Sequence, residues 1–373
     1  MKIAHVVTFT SADGAFGGPT RVALGQAKAL AKRGHEVTVY AGAPAGEAKD
    51  IRQDGYRLRT FPVVRVAPFG GFAALWPRGL RSALAANARS TDVAHIHLAR
   101  DLATLPAALT LGRLGVPYVT QSHGMIDDSD KRSAALLDRL ATRRALSRSA
   151  SWLLLTDAEG TDLARMATPR RTTPIRNGIE ETPLSSLADR SHTVLFLARL
   201  HKRKRPLAFV QMAQMLSERL PRARFLIVGP DEGEGPAVAR AIESAGLGDR
   251  LEWVGAIPPA ETMSAMSDAR VYVLPAVNEV FPMSILEAFA AGTPVVTTSS
   301  LGIADECQRF GAAIITDGTA QQLADATLAA YTDIDRATAL RAGAREYLRS
   351  ELDVDDVAST LEHEYIASLS APR

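Results

Sequence analysis

Short apolar runs of β type alternate with helix-patterned segments along most of this chain, and the whole cycle starts afresh at Val194. Strands separated by helical segments build a parallel sheet, because a crossover helix is what returns the chain to the start of a neighbouring parallel strand. In the first cycle Ile3–Phe9 reads as a strand, Pro19–Lys32 as a helix stopped by Gly34, and Glu36–Tyr40 as the next strand. Val93–His97, Pro117–Gln121 and Trp152–Thr156 follow as further short strands. The second cycle opens with Val194–Ala198, a basic turn, and a helix from Pro206 that places Phe209, Met212, Ala213 and Leu216 at helical spacing. Phe225–Val228, Glu252–Val254, Val271–Leu274 and Pro294–Thr297 read as its strands, and the tail predicts helices at Ala320–Tyr331, Arg336–Ser350 and Val354–Ser368. With 373 residues the chain exceeds one ordinary core, so two cycles predict two α/β domains. The joint falls in Pro174–Glu180, where Asn177-Gly178 is turn chemistry and the polar Thr182–Ser191 carries no strand pattern. The expected domains are 1–176 and 177–353.

Composition removes several classes of function. A net charge of +2 offers no global basic field for nucleic acid, and no zinc-finger spacing or aromatic-basic platform is present, so no nucleic-acid partner is expected. Cys307 is the single cysteine, which excludes internal disulfides and multi-cysteine metal sites; it is expected to be an inert, partly buried thiol. No run of 18 apolar residues occurs, so no spanning helix is expected. The short run Ile3–Phe9 leads straight into a glycine turn and a helix, which favours a cytoplasmic protein over one with a signal peptide.

The stretch Asn278–Val296 carries the most chemistry. Pro282 suits a first helical position, leaving the N–H groups of Met283 and Ser284 at a positive helix end suited to phosphate. Glu279 precedes that end and Glu287 lies about two turns in, and carboxylates accept charge-assisted hydrogen bonds from sugar hydroxyls. The turn Ala198–Pro206 holds five Arg/Lys residues at the carboxyl end of a first strand, where open α/β sheets bind ligands. Upstream, Gly14–Arg21, with the pair Gly17-Gly18, lets backbone approach a ligand at a helix start. It lacks a dinucleotide fingerprint, which counts against a dehydrogenase. The acidic Gly229–Gly235 would repel phosphate and is no P-loop. His95 and His97 share one strand face, but no third metal ligand is apparent, so a structural role is expected. Asp333 and Asp335, between two tail helices, are rejected as a metal pair.

Glu279 and Glu287, with Phe281-Pro282-Met283-Ser284 and Gly292-Thr293-Pro294-Val295-Val296 around them, resemble the E-x7-E motif of retaining glycosyltransferases with the GT-B fold. That resemblance implies two Rossmann-like domains facing across a cleft, with Val354–Arg373 returning to the N-terminal domain. It implies a nucleoside diphosphate sugar as donor, no cofactor and no metal. Arg199 and Lys204 match the family's Arg and Lys, although Arg205 stands where a glycine is usual. By resemblance Arg199, Lys204, Met283 and Ser284 bind the diphosphate, Glu279 the sugar, Glu287 the ribose, and Phe281 lies in the donor site. Gly17, Gly18 and Arg21 resemble a Gly-Gly-x-x-Arg loop at the donor. Trp253-Val254-Gly255 resembles the stretch near the nucleobase. Gln121–Met125 is similar to the family's His-Gly-Met branch, which puts His123 at donor sugar and acceptor. The expected activity is hexosyl transfer to a glycan or lipid-pyrophosphate-linked acceptor in surface polysaccharide synthesis. A nucleotide-sugar epimerase and a non-catalytic nucleotide-sugar-binding subunit are the rival readings. Pro68–Arg78, with Arg81, and an expected helix Lys131–Arg148 combine aromatic and basic residues suited to an anionic membrane face.

Overall fold

The computed structural model describes residues 1–11, 17–67, 71–126 and 137–370. The chain divides into two compact units: Met1–Gly178 with Val354–Arg373, and Ile179–Asp353. The break falls after Gly178 and not after Arg176, because both intervening residues are held by the first unit. Asn177 accepts a hydrogen bond from Gln121 (3.3 Å), and a Cβ on Gly178 would lie 2.8 Å from Val354 Cα.

The first unit's strands are β1 (Lys2–Phe9), β2 (Glu36–Ala43), β3 (Asp50–Gln53), β4 (Tyr56–Arg65), β5 (Leu75–Pro77), β6 (Val93–His97), β7 (Tyr118–Gln121), β8 (Ser151–Leu154) and β9 (Thr172–Pro174). They form one sheet in the order β3-β4-β2-β1-β6-β7-β8-β9, with β5 beside β4. All pairings are parallel except β3–β4 and β4–β5. The helices are α1 (Gly17–Lys32), α2 (Leu80–Asn87), α3 (Thr104–Arg113), α4 (Arg143–Arg148) and α5 (Asp157–Ala164), plus the return helix Val354–Ser370. Strands covered by helices on both faces are apolar throughout, and β1 buries Ile3, Ala4, Val6 and Val7. The return helix packs on α1, and just past the end of α1 its Glu362 accepts from Arg33 (2.7 Å) and pairs with His35 (2.9 Å).

Three expectations change here. Pro68–Arg78 is not all loop: Leu75–Pro77 pairs antiparallel with Val63–Arg65, satisfying backbone that a loop would leave to water. Pro68 and Phe69 lie outside the described residues, as do Lys131 and Arg132. The described part of the expected helix Lys131–Arg148 is a wide π turn, Asp138–Thr142, running into α4. The strand expected to reach Thr156 ends at Leu154, because Thr156 caps α5 by accepting from the Glu159 N–H.

The second unit has β10 (Thr193–Leu197), β11 (Arg224–Val228), β12 (Leu251–Trp253), β13 (Val271–Leu274), β14 (Val295–Thr298) and β15 (Ala313–Thr316). Every pairing is parallel, in the order β12-β11-β10-β13-β14-β15. Its helices are α6 (Pro206–Leu216), α7 (Gly235–Ala245), α8 (Pro259–Asp268), α9 (Met283–Ala290), α10 (Ala304–Arg309), α11 (Ala320–Thr332) and α12 (Ile334–Glu351). Each sheet reverses its winding once, between β1 and β6 and between β10 and β13, and ligands of doubly wound sheets bind beyond the strand ends at such a reversal. No helix of the described residues is long and apolar enough to cross a membrane.

Candidate functional site

In the second unit the winding reversal brings two loops together. After β10 the chain passes Arg199, makes a single 3-10 turn Lys202–Lys204, and enters α6 through Arg205. After β13 it runs through Asn278 and Glu279 into α9. The Val277 N–H donates to the Arg203 carbonyl (2.8 Å), which ties the loops at the backbone. Lys204 Nζ then meets Glu279 Oε2 at 2.9 Å, with Arg203 3.6 Å from the other oxygen. Only 11% of the Lys204 side chain is exposed. Burial lowers its pKa, and Glu279 offsets part of that shift. One terminal guanidinium nitrogen of Arg199 donates to both Glu232 carboxylate oxygens, at 2.6 and 2.7 Å. The turn thus holds its cations against carboxylates that an incoming anion would have to replace.

Arg205 adopts the left-handed conformation (φ 52°, ψ 52°) that glycine takes without cost, so the loop keeps its shape at the expense of strain in one residue. Helix α9 begins at Met283, with Pro282 in extended conformation as its N-cap and not as the first helical residue. An extended φ/ψ at the cap aims the first amides outward, so the Met283 and Ser284 N–H groups still form the helix tip. Ser284 Oγ lies 2.8 Å from the Tyr272 hydroxyl, which also reaches the Leu197 carbonyl at 3.1 Å. Phe281 is buried in the core and Glu287 is buried inside α9. Gly302 supports the Glu279 loop: its N–H donates to the Glu279 carbonyl, and a Cβ there would meet the Val280 carbonyl at 2.4 Å.

In the first unit Gly17 and Gly18 open α1, two residues before the expected start at Pro19. The Thr20 hydroxyl anchors this helix to the end of β1 by donating to the Phe9 carbonyl (2.7 Å). A Cβ on Gly18 would meet nothing within 4 Å among the described residues. Arg21 is half-buried; Gly14–Phe16 lie outside the described residues.

His123 follows β7 with φ 53°, and Gly124 follows with φ 69°. Such a turn needs holding, and Glu159 does this from α5. Its carboxylate accepts from the Ser122 hydroxyl, the Gly124 N–H (2.9 Å) and the Leu155 N–H (2.7 Å). His123 Nε2 sits 2.8 Å from His97 Nδ1. Burial pushes its pKa down to about 3.

The expectation of no third partner for His95 and His97 is overturned. His5 lies opposite His95 across the β1–β6 pairing, and one nitrogen from each of the three rings falls within 4.8 Å of the others. The missed signal was the strand parity of His5 against a neighbouring strand, which needs the sheet order before it can be read. Glu159 and Tyr272 are partners of residues distant in sequence, Ser122 and Leu197, and Glu232 of Arg199, so spacing could not find them. Asp333 caps α12 by accepting from the Arg336 N–H (2.9 Å), and Cys307 is buried with its thiol pushed up to about 12.

Two doubly wound units, with the last helix returned to the first, define the GT-B architecture. Residues 17–178 match the glycosyl transferase 4-like domain and residues 180–347 the glycosyl transferases group 1. The chain is 28% identical to the 2-deoxystreptamine N-acetyl-D-glucosaminyltransferase of Streptomyces fradiae, covering 95% of this chain and 91% of that one. It is 25% identical to the D-inositol 3-phosphate glycosyltransferase of Corynebacterium diphtheriae, covering 81% and 80%. Among solved structures, Anabaena HepE in complex with UDP-glucose superposes with a TM-score of 0.74 at 18% identity, over 97% of this chain and 98% of that one. Sucrose-phosphate synthase from Thermosynechococcus elongatus gives 0.74 at 19% identity over 100% of both. The chain belongs to the group 1, 4-like glycosyltransferases, enzymes that transfer a sugar from a nucleotide sugar.

Proposed function

We propose that this enzyme moves a hexosyl unit from a nucleoside diphosphate sugar to a hydroxyl of a polyol or glycan, with retention at the anomeric carbon. The observation that carries this reading is the half-buried Lys204–Glu279 pair set just ahead of the α9 helix tip. A leaving diphosphate gathers negative charge as the glycosidic bond breaks, and fixed cations and amides lower that barrier most. Lys204, Arg199 and the Met283 and Ser284 amides supply them. When the diphosphate takes over Lys204, Glu279 is released to accept hydrogen bonds from the sugar hydroxyls. Glu287 is assigned to the ribose, Gly17, Gly18 and Arg21 to the donor, and His123 to the sugar and acceptor. The departing phosphate accepts the acceptor's proton, so the step calls for neither a carboxylate nucleophile nor a metal.

UDP-glucose, held by the HepE structure, is the first donor to test. The names of both relatives carry a cyclitol, which makes a ring polyol the first acceptor class. A lipid-pyrophosphate-linked glycan, as in surface polysaccharide assembly at the cytoplasmic membrane face, is the second reading. It rests on Trp76, 47% exposed, with Arg78 and Arg81 exposed beside it. The test incubates purified protein with UDP-, GDP-, ADP- and TDP-sugars, with and without 2-deoxystreptamine, inositol phosphate or a lipid-linked sugar. The product's anomeric coupling is then read by NMR. Transfer with the donor's configuration is expected. An inverted product sinks the mechanism, and sugar rearrangement with donor alone converts the reading to epimerase.

A further inference from the structure

One side of the first unit's sheet carries charge of a single sign. The crossovers β1–α1–β2 and β6–α3–β7 run in opposite directions along the sheet, so their shared right-handedness puts α1 and α3 on opposite faces. Helices α2 and α4 both pack on α3, and the three bury Leu80, Leu84, Leu105, Leu111 and Leu146 in one core. The solvent side of that layer displays Arg81, Arg89, Arg113, Arg143, Arg144 and Arg148, all exposed. Arg81 donates to the Thr110 hydroxyl (3.4 Å), and a Cβ on Gly112 would lie 3.5 Å from Arg148 Cδ, so both side chains reach α3 from its neighbours. Residues 74–91, 102–116 and 139–156, which build the layer, contain no Asp or Glu. Bordering carboxylates are engaged elsewhere: Asp92 accepts from the Lys2 N–H (2.7 Å) and Asp138 pairs with Arg100 (2.9 Å). Among the described residues none of the six arginines has an ion-pair partner.

The opposite side of the same sheet is built differently. There the return helix sets Glu362 against Arg33 and Glu364 against Arg171 (2.8 Å), with Asp355 and Asp356 in its first turn. Like charges on an exposed layer repel one another and add nothing to the core, so the arginines are a cost to the fold. The whole chain carries only +2, so the positive charge is gathered on this layer and is not a general excess. A guanidinium fork matches two phosphate oxygens at once. Two large apolar side chains border the layer: Trp76, 47% exposed on the strand leading into α2, and Leu114, 50% exposed at the end of α3. A nucleic-acid duplex would engage the arginines through its phosphates but leave both apolar groups in water. The headgroup region of an anionic bilayer takes both kinds of group.

We propose that the α2–α3–α4 layer is a docking surface for an anionic phospholipid bilayer, with its arginines on headgroup phosphates and Trp76 and Leu114 dipping beneath them. The attraction is electrostatic and reversible, and salt screens it. It rests on neither acceptor reading, because a docked enzyme can glycosylate a soluble polyol as well as a lipid-linked glycan. The acidic return helix on the other side of the sheet would be repelled by the same lipids, so the charge distribution also selects which side of the unit faces them.

The test sediments the full chain with sucrose-loaded vesicles of phosphatidylcholine alone or of an equimolar mixture with phosphatidylglycerol. Binding to the mixed vesicles at low salt, its loss at high salt, and none to phosphatidylcholine are expected. Each arginine near an anionic surface strengthens binding about fivefold, so the triple variant Arg113→Gln, Arg144→Gln, Arg148→Gln should bind about 100-fold more weakly. Arg222→Gln, Arg240→Gln, Arg336→Gln removes the same charge from exposed positions of the second unit and should bind as the native chain does. Trp76 emission, taken as the difference from a Trp76→Phe variant, should move to shorter wavelength on the mixed vesicles. Equal binding to both vesicle types would overturn the proposal, as would equal weakening by the two triple variants. Duplex DNA that strips the protein from the vesicles, with no emission shift on lipid, would reassign the layer to nucleic acid. If the first triple variant melts early, the vesicle preference and the Trp76 shift of the native chain decide alone.

Discussion

The two units use the same point of the same topology for opposite electrostatics. At the β10–β13 reversal the second unit stores ions in pairs, Lys204 with Glu279 and Arg199 with Glu232, at part-exposed positions. At the β1–β6 reversal the first unit stores uncharged imidazoles, sealed from water. Paired charges near the surface exchange partners cheaply, so they suit a ligand that arrives charged and leaves more charged. Fully buried neutral rings resist ionisation, because an unpaired buried charge costs far more than a hydrogen bond returns. One site is therefore built to trade partners and the other to hold one arrangement.

The largest expected effect separates the units by pH. In the unfolded chain the histidines titrate near 6.5. In the folded first unit His5 and His123 are held at about 3, and His95 and His97 are also lowered. Between those values the unfolded chain binds protons that the folded unit refuses, so stability falls as pH drops below about 6.5. Each histidine contributes a slope of about 1.4 kcal/mol per pH unit inside that window. Asp101, whose carboxyl is raised by burial, works the other way and offsets part of the loss. In the second unit Glu181, held down by Arg345 and Arg349, gives up stability only below the ordinary carboxylate range. Hydrogen exchange followed by mass spectrometry at pH 5 should show the β1 and β6 amides losing protection before those of β10 and β13. Simultaneous loss in both would erase the contrast between the sites.

The next effect tests the trading site. Lys204→Ala should lower kcat/KM about 100- to 1,000-fold, the range for removing one preorganised donor to developing charge. Arg199→Ala should cost less, because its side chain is 41% exposed against 11% for Lys204 and water screens it. Steady-state kinetics on both variants decides. Near-normal turnover in each would remove the turn from the mechanism, and a larger loss at Arg199 would reverse the ranking by burial.

The two sites were unequally legible in the sequence. Arg199, Lys204, Glu279 and the α9 tip lie on contiguous stretches, so spacing alone placed them beside strand ends. The strand and helix alternation likewise predicted most parallel elements within a residue or two. The histidine cluster is invisible at that level, because its members come from β1, β6 and the turn after β7. The hairpin β3–β4 was missed although Asp54-Gly55, both with positive φ, is a strong two-residue turn signal. β3, Asp50-Ile51-Arg52-Gln53, has one apolar residue and no buried one, so it carries no strand pattern, although β4 alternates inward Tyr56 and Leu58 with outward Arg57 and Arg59. The crossover helices α2, α3, α5, α7, α8 and α10 were not predicted.

The smallest effect probes how the trading site is shaped. Arg205 holds φ 52°, where a side chain costs about 1–2 kcal/mol and glycine costs nothing. Its guanidinium packs closely enough on Gly318 that a Cβ there would lie 2.5 Å from its nitrogen, and its charge helps to lower the Asp317 carboxyl. Asp317 is exposed, so that attraction is weak. Backbone relief should therefore win, and Arg205→Gly should raise the denaturant midpoint by an amount worth about 1 kcal/mol. A lower midpoint would mean that the Gly318 contact outweighs the strain. Activity gives the second reading. If kcat/KM falls while stability rises, the fifth cation of the turn serves the donor, and strain at Arg205 is retained because its charge is used.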